Sequence, residues 1–325
     1  MKLYRDVLKS AWGHSIQRPG LWIFGFFATF VFGASGELDR YLRLMNSVVT
    51  DGHLLNPKSW LDGRWASLAA STYTQLQAGN VNVWVLTILA VLAGLLVLVM
   101  MSISVGALIH SAEHHTESFT EAFAAGYKHW MQLILLFVCA NLVVIVGSLS
   151  MVTVVLKVFT AYTFESAQLA TSLVAGIIFV PLVIVVSFLA RLASMAIVLD
   201  NQHMGQAIKT AWRLFLQHWL VVLEMSIVSF VVVGFVNLFI LIGLTVIFLP
   251  FFVSMTFNAS VDTTVGQIEA ILIFGQWVYL LVSLFTAAIL STWQWSAWAQ
   301  LFQTLRTGQS RSTVLAMIRG GQPKA

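Results

Sequence analysis

The sequence predicts an all-α integral membrane protein. Six transmembrane helices are expected, as three tandem helical hairpins, each preceded by an amphipathic interfacial helix. Composition is the first reason: hydrophobic residues fill 59% of the 325 positions and charged residues only 9%, against about 25% charged in soluble domains. Uninterrupted apolar length is the second. Residues 83–109, 131–156, 166–190, 225–260 and 270–305 contain no Asp, Glu, Lys or Arg, and each run exceeds the roughly 20 residues that cross a bilayer as a helix. In hydrocarbon each backbone amide must be satisfied within its own segment, which selects helices; a strand barrel would need short alternating segments instead. The third reason is an internal repeat, described below.

The spans are expected at 20–36, 83–109, 131–160, 167–199, 219–256 and 268–304. The first, "LWIFGFFATFVFGASG", is short, follows Lys2, Arg5, Lys9 and Arg18, and ends in Ala34-Ser35-Gly36. A secretory signal peptide has the same pattern. The basic segment before it has a helical pattern that recurs later in the chain, so residues 20–36 are read as a retained helix. With the N-terminus inside, Lys2, Arg5, Lys9, Arg18, Lys128, Arg191, Lys209, Arg213, Arg306, Arg311, Arg319 and Lys324 face the cytoplasm. Arg40, Arg43, Lys58, Arg64 and Lys157 face outward. This bias places both termini in the cytoplasm, with the chain multi-pass in the cell (inner) membrane. Pro181 and Pro250 are expected to kink helices 4 and 5. The one cysteine, Cys139, lies in an apolar run and reads as a packing residue.

The chain reads as a single transmembrane domain, 1–325, with a cytoplasmic tail at 306–325. Its largest extramembrane piece is the outer segment 37–82. There Leu38, Tyr41, Leu42 and Met45 are spaced at helical intervals, and Trp60 and Trp65 follow. Such segments lie in the headgroup layer. A cap over the bundle or a surface for a protein partner are the two readings of 37–82.

The repeat compares "IHSAEHHTESFTEAFAAGYKHW" (109–130) with "VLDNQHMGQAIKTAWRLFLQHW" (198–219). At an offset of 89, His114 falls on His203, Ala122 on Ala211, His129 on His218 and Trp130 on Trp219. At an offset of 200, "VLKSAW" falls on "AIKTAW", with Trp12 on Trp212. Units of about 4–110, 111–200 and 201–305 follow, each an interfacial elbow, a span out, a link and a span back. The shared orientation of the copies is unlike an inverted-repeat transporter. In the third elbow an apolar stripe of Ile208, Ala211, Trp212, Phe215 and Trp219 lies beside Lys209, Arg213 and Gln217. This suits Trp at the acyl boundary and basic groups at lipid phosphates.

Candidate chemistry is sparse. His110-x-x-Glu113-His114 spells an inverted zinc-protease motif, and a helix would put both histidines on one face. The third ligand would have to be Glu224. In the repeat, His110 and Glu113 fall on Leu199 and Gln202, so only the histidine at 114 recurs, and the motif reads as chance. Arg191 and Glu224 lie within the fourth and fifth spans. A lone charge at that depth is costly, so they are expected to form an intramembrane ion pair. Lipids are the expected partners. Neither cofactor nor nucleic acid is expected.

The order "KSAWGHSIQRPGLWIFGFF", followed by elbows of the "AIKTAWRLFLQHW" type before each hairpin, resembles a loose group of bacterial polytopic membrane proteins. The group includes the membrane domain fused to some glycerophosphodiester phosphodiesterases and related stand-alone proteins. The resemblance covers most of the chain as a helical pattern, with no appended phosphodiesterase domain. It implies a six-helix module without catalytic residues. The expected function is non-enzymatic: organising lipids or partner proteins at the membrane. The alternatives are a small-solute or lipid transporter using Arg191 and Glu224, and a zinc-dependent membrane hydrolase using His110, Glu113 and His114.

Overall fold

The computed structural model describes residues 2–30, 74, 81–114, 118–160, 166–258 and 265–307. They form seven helices: α1 (Lys2–Gln17), α2 (Leu21–Ala28), α3 (Val81–His114), α4 (Phe119–Thr160), α5 (Ser166–Leu199), α6 (Met204–Asn258) and α7 (Val265–Arg306). No strand occurs among the described residues. Among the described residues five stretches are long and apolar enough to cross a membrane: Val83–His114, Phe119–Ile145, Pro181–Leu199, Met204–Leu249 and Trp277–Arg306. The chain thus has the make-up of a multi-pass helical membrane protein. The first expected span corresponds to α2, whose helix covers Leu21–Ala28; residues 31–36 lie outside the described set. So do the tail from 308 onward and nearly all of the outer segment 37–82.

The helices pack in a ring around a triad. α3, α5 and α7 touch one another. α2 lies against α7 and α3, α4 against α3 and α5, and α6 against α5 and α7. α1 rests on α7. There the Trp293 indole donates to the Leu8 carbonyl (3.3 Å), and the Ser15 hydroxyl donates to the Ile289 carbonyl (3.3 Å).

The triad is held by small residues. Met101–Ala112 of α3 is buried on nearly every side and contains Ser102, Ser104, Gly106, Ala107 and Ser111. The matching parts of α5 and α7 contain Ala193, Ser194 and Ala196, and Ala288, Ser291, Thr292 and Ala297. Lipid tails are as apolar as leucine, so helices gain little by merely joining; they gain by backbone approach and van der Waals contact. Ser111 donates within its own helix to the Leu108 carbonyl (3.0 Å), and Thr292 both to the Ala288 carbonyl of its own helix (2.9 Å) and to the Leu21 carbonyl of α2 (3.4 Å). Two glycines mark the closest approaches. A Cβ at Gly126 of α4 would lie 2.9 Å from the Ala107 nitrogen and closer still to the Ile103 carbonyl oxygen of α3. A Cβ at Gly25 of α2 would overlap the Ala288 carbonyl oxygen and the Thr292 hydroxyl of α7.

Among the described residues the buried core lies at one end of the bundle. On α3, Trp84, Leu86, Leu89, Leu92 and Leu96 are all exposed, although Met101 onward is buried. α6 likewise exposes Phe235, Leu238, Phe239, Ile242 and Val246 beyond the buried Val233. Apolar residues exposed around a helix in this way are suited to hydrocarbon.

The first elbow follows the expected plan, and the second and third depart from it. The first is a separate helix, α1, joined to α2 by a turn at Arg18-Pro19-Gly20, across which the Trp22 indole donates to the Ser15 carbonyl (2.9 Å). The second is continuous with its span as α4 and starts at Phe119, with the Ser118 hydroxyl accepting from the Glu121 amide (3.4 Å). His114 is therefore the last residue of α3 rather than part of that elbow. The third is continuous with α6 but broken at His218 (φ −132°, ψ 25°). α5 and α6 are helical through Pro181 and Pro250, and His218 is where α6 leaves helical backbone geometry. Between α5 and α6, Asn201 takes the left-handed conformation (φ 49°), which asparagine tolerates better than most residues.

Gly126→Ala should lower the unfolding temperature, at a cost of about 1–3 kcal/mol from overpacking. Gly234→Ala, at an open helical position, should be neutral or stabilising. Equal effects in a thermal-unfolding assay would show that the α3–α4 approach is not a constraint.

Candidate functional site

The ionisable groups gather at the buried end of the bundle. Glu224 of α6 accepts a hydrogen bond from the Tyr4 hydroxyl of α1. The contact joins residues 220 positions apart and ties the first elbow to the fifth expected span. Burial first, then the hydrogen bond and charge of Glu224, push the Tyr4 phenol well above its ordinary range. Arg191 of α5 places its guanidinium 5.2 Å from the ring centroid of Trp298 on α7. That cation–π contact offsets part of the cost of a cation at this depth. Phe188, one turn earlier, packs against both Trp298 and Phe215. Arg191 and Glu224 thus lie on neighbouring helices, each with an aromatic contact.

The histidine motif folds as its spacing predicts. His110 and His114 stack with ring centroids 4.3 Å apart and planes 10° from parallel. Glu113 Oε2 approaches His114 Nδ1 at 3.8 Å. Glu224 does not join them. Among the described residues no group of three or more His, Cys, Asp or Glu side chains is placed to hold a metal ion.

The elbow residues divide by burial. Trp12 and Trp212 are about half exposed (42% and 47%) and Trp219 is 53% exposed, whereas His129 is buried. His203 is exposed and its carbonyl accepts from the Gln206 and Ala207 amides (2.9 Å each), starting α6. Trp130 and His218 are partly buried. The apolar stripe predicted for the third elbow splits in two. Ala207, Ala211 and Leu214 face the bundle; Ile208, Trp212, Leu216 and Trp219 face away.

A polar pocket of about 420 Å³ lies at the third elbow, lined by Asp200, Gln202, Thr210, Arg213, Leu214, Gln217, His218, Phe302, Leu305 and Arg306. One wall is ordered by a chain of contacts. Thr210 donates to the Gln202 side-chain oxygen (2.9 Å), the Gln202 amide donates to Asp200 (3.5 Å), and Arg306 pairs with Asp200. Beside it Lys128 of α4 donates to the Asn201 side chain (2.8 Å). Sequence reasoning missed Tyr4, Trp298, Asp200 and Arg306 as partners, because each contact spans helices far apart in the chain. Asp200-Asn201 at the end of an apolar run was the available signal for a turn.

Comparison of the chain with protein families, curated proteins and solved structures gives no match.

Tyr4→Phe removes the donor to Glu224 and should destabilise by about 1–3 kcal/mol. Glu224→Gln should lose most of the effect of the second change in a double-mutant cycle. The folded state favours the neutral phenol, so its contribution is complete below the ordinary tyrosine value of about 10 and falls as pH rises past it. The difference in unfolding temperature between wild type and Tyr4→Phe should shrink above that pH; a constant difference would sink the linkage. Arg191→Met and Glu224→Gln, alone and together, test the expected ion pair. If the double variant folds no better than the singles sum to, no pair exists.

Proposed function

We propose that the protein is a non-catalytic module of the cell (inner) membrane, with both termini cytoplasmic, built as three tandem hairpins whose elbows organise lipid at the cytoplasmic interface. One observation carries this reading. At the repeat offsets, Ala11, Ala122 and Ala211 are all fully buried, while Ile16, Tyr127 and Leu216 are each at least 50% exposed. Three elbows therefore turn the same face to the bundle and the same face outward. The outward faces hold Trp12 and Ile16, Tyr127 and Met131, and Trp212, Leu216 and Trp219. Large amphipathic rings at that level favour the headgroup boundary.

The ring of α2, α4 and α6 around α3, α5 and α7 supports the three-hairpin reading, since each outer helix follows an elbow. Transport through Arg191 and Glu224 is less favoured, because one lies against Trp298 and the other holds Tyr4.

Purification in mild detergent followed by mass spectrometry of bound lipid is the test. A lipid-organising module retains a defined lipid complement, and replacing Ile16, Tyr127 and Leu216 together by Gln depletes it. Solute flux in reconstituted vesicles that disappears in both Arg191→Met and Glu224→Gln would instead establish a transporter.

A further inference from the structure

The pocket at the third elbow has a composition that its structural role does not require. Its walls come from three elements: the turn after α5, the elbow part of α6 and the end of α7. The break at His218 shapes it, because the elbow leaves the axis of its own span at that residue.

The two arginines differ. Arg306 is committed to Asp200, whose side chain is only 10% exposed and is also approached by the Gln202 amide. Asp200 is thereby paired within the pocket wall. Arg213 lines the same pocket, is exposed, and makes no ion pair among the described residues. A guanidinium offers a planar set of donors matched to phosphate oxygens. Gln217 and His218 lie within a turn and a half of it along the chain and add side chains able to donate. The floor is apolar: Leu214, Phe302 and Leu305 are all buried. Trp212, Leu216 and Trp219 on the same elbow face away from the bundle, which suits the edge of a bilayer.

We propose that this pocket is a binding site for a phosphate ester, the headgroup of an anionic phospholipid, with Arg213 as its principal contact. The proposal rests on the lipid-organising reading and gives it a lipid class and an address. The phosphate lies on the Arg213 side, away from Asp200. The glycerol backbone meets Leu214, Phe302 and Leu305, and the acyl chains leave along Trp212 and Leu216. A soluble phosphate ester would share the polar contacts but gain nothing from the apolar floor.

The test titrates the full-length protein in detergent with dihexanoyl phosphatidic acid, read by native mass spectrometry, with glycerol 3-phosphate as competitor. Arg213→Gln should weaken binding about tenfold or more, and Arg213→Lys should restore part of it. Lys209→Gln, a basic change on the same elbow outside the pocket lining, should weaken it by under about twofold, as a screened surface charge does. An unchanged unfolding temperature in Arg213→Gln shows that the loss is not misfolding; if that variant unfolds early, the Arg213→Lys titration carries the comparison. Glycerol 3-phosphate that displaces the lipid at equal concentration would overturn a lipid occupant in favour of a soluble ester. Equal weakening by the two Gln variants, or no binding by wild type, would overturn the site. If long-chain lipids still co-purify with wild type in that case, only the pocket assignment fails; if none co-purify, the lipid-organising reading fails as well.

Discussion

Close backbone approach between helices at one end of the bundle is the constraint from which the remaining structure follows. In hydrocarbon, apolar side chains gain little by leaving lipid for protein, so association depends on contact area and fit. Serine, alanine and glycine supply that fit along α3, α5 and α7. Gly126 lets α4 reach the backbone of α3, and Gly25 lets α2 reach α7. Once the triad is set, each outer helix has one groove between two inner ones. The elbows are then positioned because they are covalently continuous with, or one turn away from, those outer helices.

The same packing decides how charge is housed. Arg191 and Glu224 are partly buried, and each meets an aromatic residue from another element: Trp298 for the cation, Tyr4 for the carboxylate. Tyr4 belongs to α1, so the first elbow completes the environment of α6. At the polar end, Asp200, Gln202, Thr210 and Arg306 lock the turn between α5 and α6 to the end of α7, while Lys128 and Asn201 join that turn to α4. Charges near the bilayer thus serve as fasteners between elements that follow one another around the ring.

Much of this was legible in the sequence, and the limits have physical causes. Uncharged runs gave the five long apolar helices, because hydrocarbon imposes length and composition on every span. The recurrence of Ala11, Ala122 and Ala211 marked positions that are buried together. The spacing of His110 and His114 gave their stacking, because a helix brings i and i+4 together. Contacts between distant elements were not legible: nothing near Tyr4 in the chain points to Glu224, and nothing near Arg191 points to Trp298. The break at His218 also escaped, since proline was the visible cue and α6 is helical through Pro250. The start of the second elbow was misplaced because Ser111 continues α3 without a local stop signal; Ser118 supplies the cap instead.

The one-ended core gives the molecule an unequal stiffness. α3 is buried over Met101–Ala112 and exposes Trp84, Leu86, Leu89, Leu92 and Leu96 among the described residues. A helix held this way meets a change in bilayer thickness by tilting its free half, at fractions of a kcal/mol per ångström of mismatch. The clamped half keeps its register, so the polar face does not deform with the membrane around it. Lipid chain length therefore bears on the exposed half of α3 more than on its buried half.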